Sequence, residues 1–399
     1  MTDPMREYSR RQFLKVTAAA GAAVGVGGFL AACSAAVSSA PAASTAASAA
    51  ASAGAPASAA ASAAASTAAA ATGTFNWMTW GDHSYPAQLD AIAAAANIKA
   101  NSTLFSDNID AYTKLKQVGG QLDMVSGDAL WVPHYFESGL IEAWDINQLA
   151  VAKQLYSIAR SFPIWTKPEG YLGYPFGWSP VQIYYDPAKV SPAPDSWEVL
   201  LDPKYKKRVV VEDQPVEIMA YMGKFTGAKN AYSMTPEEIA KAKEALIKLK
   251  PNILRLANQA TDTIAALKTG EAWIATGNLG TESRVKDQGG PDLNVFTPKE
   301  GTIGWMDSEM IVKGGANQNL IMPFLEKAEQ AEYIAANFIL NGRPLFNEAA
   351  YKILINQGQQ ERADRFLYNK PETVQTMDLK GPGTSTQAVI DAFNEVFGA

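Results

Sequence analysis

The sequence predicts an α/β protein of two lobes, each built on a doubly wound sheet. Three observations predict it. Residues 74–128 read strand, helix, strand, helix, strand; residues 208–296 repeat that logic; and two stretches, 171–186 and 299–308, read as extended chain crossing between the lobes. Strands alternating with helical patterns give parallel sheets with helices on both faces, and ligands sit at the carboxyl ends of such strands.

The elements follow in order. Phe75, Trp77 and Trp80 belong to a first strand that Gly81-Asp82 ends, and Pro86 opens a helix through Ala96. Residues 98–105 form the second strand. Asp107 is placed to cap a helix to Val118, with Ile109, Tyr112, Leu115 and Val118 recurring at helical spacing. Leu122 to Val125 is a short buried strand, and Asp128 stands at its carboxyl end. In the second set, residues 208–211 form a strand with Glu212-Asp213 at its end. Thr235-Pro236-Glu237-Glu238 starts an amphipathic helix to Leu249, and Thr261 is expected to cap a helix to Leu267. Strands at 271–276 and 293–296 follow, with Gly277-Asn278 closing the first. Helices are expected over 331–340 and 387–397.

The first 33 residues read as an address. Arg10-Arg11 with Phe13-Leu14-Lys15, followed by a weakly apolar Ala/Gly segment, resembles a twin-arginine export signal. Leu30-Ala31-Ala32-Cys33 resembles a lipobox. Cys33 is the only cysteine, which excludes an intrachain disulfide and a thiolate cluster; its place at the end of the lipobox-like run implies that its thiol receives lipid. The segment that precedes it is too short and too rich in glycine to read as a membrane span. Residues 34–72 are almost entirely Ala, Ser and Thr and cannot bury enough apolar surface to offset ordering, so they read as a disordered tether. The expected divisions are 1–33 signal peptide, 34–72 tether, 73–181 with 304–365 as lobe 1, and 182–303 with 366–399 as lobe 2. The formal net charge of −6 excludes a nucleic-acid binder.

Lys299 to Ser308 carries the sharpest chemical pattern. Trp305 and Asp307 are two apart, so an extended chain turns both to one face. A ring beside a carboxylate suits an organic cation; the plain alternative is a core tryptophan and a turn-capping aspartate. Cation–π contact contributes about 2 kcal/mol when desolvated. A close ammonium–carboxylate pair attracts by about 4 kcal/mol before desolvation is subtracted. Carboxylates therefore set charge selectivity, and rings set length and shape. The two histidines, His83 and His134, lie far apart and in no zinc-ligand spacing, and no nucleophile elbow or phosphate loop is present. No metal and no cofactor are expected; His83 lies near the expected cleft, where it could touch ligand, but reads better as a loop histidine. Tyr184-Tyr185 reads as strand or hinge.

With Asn76-Trp77, Ser196-Trp197-Glu198-Val199-Leu200, Pro203-Lys204-Tyr205-Lys206, Pro298-Lys299-Glu300-Gly301 and Trp305-Met306-Asp307-Ser308, residues 73–399 resemble the extracytoplasmic polyamine-binding proteins of ABC transporters, of the spermidine/putrescine type. The resemblance implies a type II-like periplasmic-binding-protein fold, a ligand held between the lobes, an ABC permease as partner and no catalysis. It implies ligand contacts from Trp77, Trp80, Asp213, Trp305, Asp307 and Tyr368. Asn278 and Asp128 stand where the family usually has a tryptophan and a serine, which puts the identity of the amine in question. The expected protein is a monomer, anchored outside the cytoplasmic membrane through Cys33. Ferric ion, another small cation or a sugar is the alternative within the same fold. A glycoside hydrolase using the cleft carboxylates is the remote one, since it needs two carboxylates about 5–10 Å apart.

Overall fold

The structure, a computed structural model, describes residues 72–81, 83, 86–105, 107–212, 214–257 and 259–398. All of them fall within one compact unit, Thr67–Ala399. The signal segment, Cys33, the tether to residue 71 and Asp213 lie outside the described residues.

Strand β1 (Gly73–Thr79) pairs in parallel with β2 (Ile98–Leu104) on one side and β3 (Met124–Asp128) on the other. The connecting helices are Pro86–Ala96 and Asn108–Val118. The second is capped as expected, with the Asp107 carboxylate accepting from the Asp110 amide at 2.9 Å. A small ribbon, β4 (Thr166–Lys167) and β5 (Gly170–Tyr171), precedes β6 (Tyr174–Pro180). Then β7 (Gln182–Tyr185), β8 (Val209–Glu212), β9 (Ile253–Ala257), β10 (Ile274–Gly277) and β11 (Asn294–Phe296) build a second sheet in the order β11-β7-β10-β8-β9. Finally β12 (Thr302–Ile311) and β13 (Met377–Leu379) complete the first sheet, ordered β13-β12-β3-β1-β2 with β6 also on β12.

Both sheets are mixed rather than wholly parallel. The crossing strands enter antiparallel: β12 against β3 and β6, and β7 against β10 and β11. The two crossings run side by side, with the Val181 amide donating to the Ile303 carbonyl at 2.8 Å and the Thr302 hydroxyl to the Val181 carbonyl at 2.5 Å. Strand β12 serves both lobes. Its Ile303 is buried in the second-lobe core with Trp197 and Ile274, whereas Met306 and Met310 are buried in the first with Phe75 and Trp178. Two of the sequence segments that carry the resemblance brace this crossing. The Ser196 hydroxyl donates to Glu300, and Trp197 Nε1 donates to the Gly301 carbonyl at 2.9 Å.

Three details differ from the sequence reading. Gln259, not Thr261, caps helix Ala260–Thr269, because Gln259 and Asp262 bond reciprocally across the first turn. Strand β9 was not anticipated; five residues leave too short a pattern to separate strand from helix. The segment placed in lobe 2 from residue 366 is divided. Phe366 and Tyr368 pack with Phe176 and Phe338, and β13 joins the first sheet, while helix Thr386–Phe397 packs on Pro215–Phe225 and Pro236–Leu249 of the second lobe.

Candidate functional site

Strand β12 positions the site. Asp307 lies in register with Asp128 of β3 on one side and Gly177 of β6 on the other, so it sits in the middle of the first sheet and is only 2% exposed. A lone anion there would be costly, and the neighbours explain its presence. His83 Nε2 is 3.0 Å from Asp307 Oδ2, and Arg343 NH2 is 3.4 Å from the same oxygen. The other imidazole nitrogen, Nδ1, is 2.8 Å from Oε1 of Glu309, which also accepts from Trp77 Nε1 and the Ser126 hydroxyl. The Arg343 guanidinium also lies over the Trp305 ring, 4.5 Å from its centroid.

Burial and the charge of Arg343 push the His83 pKa down. Hydrogen bonds to Asp307 and Glu309, with the charge of Glu309, overcome both and raise it to about 9. Burial opposes ionisation of Asp307, but the His83 hydrogen bond and the charges of His83 and Arg343 hold it below its ordinary value. Asp128 behaves oppositely. Burial and the Asp307 charge raise it well above the usual carboxylate range, and in its protonated form it hydrogen-bonds Asp307. Asp307 Oδ1 is buried and receives no hydrogen bond from any fixed donor among the described residues. Burial and mutual repulsion therefore favour a single negative charge shared by the pair.

The second lobe closes the other side. Trp305 Nε1 donates to Asn278 Oδ1 at 3.1 Å, and the Asn278 carbonyl accepts from Tyr184 Oη at 2.8 Å. Lys380, just past β13, lies 3.5 Å from Glu212 and 3.4 Å from Glu217, the latter also accepting from Tyr232 Oη at 2.6 Å. Burial opposes the Lys380 charge, yet Glu212 and Glu217 raise its pKa well above the usual value.

Of the residues expected in the cleft, Trp305, Asp307, Asp128 and Asn278 are brought together. Asp128 makes no side-chain cap to the turn that follows it. Trp80 lies half-buried at the end of β1, against Phe105 at 4.2 Å between centroids. Trp77 reaches the cluster only through its Nε1, which donates to Glu309 at 3.1 Å, and Tyr368 lies elsewhere. Trp77 is 3% exposed in the first-lobe core against Phe324, because its face of β1 is covered by helix Ile321–Ala328. Tyr368 is fully buried among Trp178, Phe338 and Tyr351. Asp213 follows Glu212 directly and lies outside the described residues. Sequence reasoning missed Glu309 and Arg343 and ranked a site role for His83 below that of a plain loop histidine. Glu309 carried a signal, being two residues past Asp307 on the same strand; Arg343 in Gly-Arg-Pro reads only as a helix stop. Among the described residues no group of three or more His, Cys, Asp or Glu is arranged to hold a metal ion, and no helix is long and apolar enough to cross a membrane. Tyr184 and Tyr185 are both buried.

Similarity to known proteins fits this geometry. The chain is 26% identical over 329 residues to the spermidine/putrescine-binding periplasmic protein of Escherichia coli (strain K12), covering 80% of this chain and 90% of that one. It is 23% identical over 324 residues to the putrescine/agmatine-binding protein of Pseudomonas aeruginosa, covering 77% and 87%. Among solved structures, a spermidine/putrescine ABC transporter substrate-binding protein from Streptococcus pneumoniae superposes with a TM-score of 0.69 at 20% identity, over 82% of this chain and 98% of that one. A putative spermidine/putrescine ABC transporter from Listeria monocytogenes gives 0.70 at 20% identity, over 81% and 98%. These share the two-lobe fold. Residues 7–27 match the twin-arginine translocation signal, which makes this an exported protein. Residues 106–353 match the bacterial extracellular solute-binding protein family, and the chain belongs to that family of transporter binding components rather than to any enzyme family.

Proposed function

We propose that this protein captures a polyamine, putrescine or spermidine, between its lobes and delivers it to the permease of an ABC importer. One observation carries the reading. The Trp305 ring and the Asp307 carboxylate together grip an organic cation, the Arg343 guanidinium, so the ring-and-carboxylate pair has the geometry an alkylammonium needs. Asp128, next to Asp307 across the strands, supplies a second negative charge when a cation arrives. The polyamine-binding relatives point to the same ligand class.

Lobe 1 comprises the β12 sheet and lobe 2 the β10 sheet, with the cleft at Trp305 and Asn278. Cys33 carries the lipid that holds the protein at the outer face of the cytoplasmic membrane, and residues 34–72 act as the tether. The test is titration calorimetry of the purified protein with putrescine and spermidine, wild type against Asp307→Asn. Saturable binding that Asp307→Asn weakens about a hundredfold supports the reading. Heat from another solute and none from either amine overturns it. Cys33→Ser should move the protein from the membrane fraction to the soluble one.

A further inference from the structure

The ligand's proposed place is already occupied by the protein's own charge. Arg343 NH2 reaches Asp307 Oδ2 at 3.4 Å while its guanidinium covers Trp305 at 4.5 Å and Phe176 at 5.8 Å. His83 takes the same carboxylate oxygen from the other side, at 3.0 Å, and stacks on Phe176 with centroids 4.1 Å apart. Two protein cations thus serve one carboxylate before any ligand enters.

Backbone geometry fixes Arg343 in that position. Helix Ala331–Asn341 ends at Gly342, whose φ of 61° and amide bond to the Phe338 carbonyl at 2.7 Å make a left-handed C-cap. A Cβ on Gly342 would lie 2.6 Å from the Phe366 ring, so the turn tolerates no side chain there. Pro344 follows at once, and the Phe346 amide bonds the Phe176 carbonyl at 2.9 Å. Residue 343 is therefore held between a closed turn and a strand, with its side chain 11% exposed over the ring.

We propose that Arg343 is an internal competitor for the ligand's ammonium and sets the charge the cleft accepts. The inference rests on the amine-binding reading above. With Arg343 in place, an entering ammonium meets Asp307 Oδ1 and Asp128 but neither the Trp305 face nor Oδ2. A ligand that needs the ring must expel the guanidinium, and a dication meets its positive charge as well. Arg343 therefore lowers affinity for diamines more than for monoamines.

The test is calorimetry of the full chain with putrescine and with N-acetylputrescine, which keeps the chain length and loses one charge. Wild type is compared with Arg343→Gln and Arg343→Met. Both variants should bind putrescine about tenfold tighter than wild type, with a smaller gain for N-acetylputrescine. A merely structural role for Arg343 would weaken both ligands alike and leave their ratio unchanged. If wild type binds putrescine and neither folded variant binds it tighter, the inference fails and the amine reading stands. If no form binds either amine, the amine reading fails and takes this inference with it.

Discussion

His83 bridges two carboxylates of a single strand, its Nε2 3.0 Å from Asp307 and its Nδ1 2.8 Å from Glu309. Asp307 and Glu309 share a face of β12, so one imidazolium spans consecutive positions on that face. Arg343 and Glu329 complete the charged groups around it, and Phe176 covers the ring. Burial and the Asp307 and Glu309 anions decide its state, and the anions win.

Stability should therefore fall in alkali. The folded pKa of His83, about 9, lies above the unfolded value of 6.5. A raised histidine contributes fully below the unfolded pKa and loses that contribution as pH rises through the folded one. Between pH 6.5 and 9 the loss should approach about 3 kcal/mol, from roughly 1.4 kcal/mol per unit. Thermal unfolding across that window checks it. His83→Gln should be less stable at pH 6.5 and show a flatter profile above it; an unchanged alkaline slope in the variant would remove His83 as the cause.

Asp128 predicts proton release on binding. Burial and the Asp307 charge push its pKa well up and so favour its protonated form in the free protein. An ammonium beside the pair favours the charged form and expels that proton to the buffer. Calorimetric enthalpies at neutral pH should then vary with the ionisation heat of the buffer in wild type, and stop varying in Asp128→Asn. The sign for stability is the same as in the histidine case, but the window opens at the carboxyl's lower unfolded pKa. A carboxyl whose folded pKa is raised costs stability once pH exceeds its unfolded value, so Asp128→Asn should unfold at a higher temperature than wild type at neutral pH.

Much of this site was legible because it depends on local period. Trp305 and Asp307 face one way because strands alternate, and Asp128 and Asn278 stand at strand ends, where turn residues mark them. The rest depends on contacts that no local pattern carries. His83 meets Asp307 across 224 residues, and a lone histidine after a strand has no spacing to betray a partner. Arg343 reaches the ring because a helix not in contact with β12 along the sequence ends beside it. The burial of the Trp77 ring, whose Nε1 alone reaches Glu309, depends on a related kind of contact. Its alternation on β1 was sound, but which face is covered depends on helix Ile321–Ala328, which the sequence reading did not identify. Tyr368 follows two helices, Glu348–Asn356 and Gln360–Arg365, that also escaped notice, so its burial had no visible cause.

Lys380 ties the sheets together and should be essential to stability. It follows β13 of the first sheet, its amide donates to the Gly304 carbonyl at 2.7 Å, and its ammonium pairs with Glu212 and Glu217 of the second lobe. Removing one partner of a buried pair leaves the other charge uncompensated, at a cost of about 3–5 kcal/mol. Lys380→Met should lose stability of that order. Burial already raises the Glu217 pKa, so the loss should be greater at pH 8 than at pH 5, where the carboxyl is more easily protonated. Adding Glu217→Gln should recover part of it. A double variant no more stable than Lys380→Met alone would show that the lost contacts are not electrostatic.

Asn278 should govern how long the cleft stays shut. Its Oδ1 accepts from Trp305 Nε1 at 3.1 Å, linking the end of β10 in the second sheet to β12 in the first. Its backbone is held separately, through Tyr184 Oη and the Thr281 hydroxyl on its carbonyl, so truncating the side chain leaves the turn in place. A neutral hydrogen bond contributes about 0.5–1.5 kcal/mol net, and the closed form alone makes this one in full. Asn278→Ala should therefore speed ligand dissociation by roughly threefold to tenfold, with the association rate little changed, since affinity differences within one interface reside mostly in the off-rate. Stopped-flow tryptophan fluorescence with putrescine separates the two rates. A slower association with unchanged dissociation would place Asn278 on the entry path instead of at the closure.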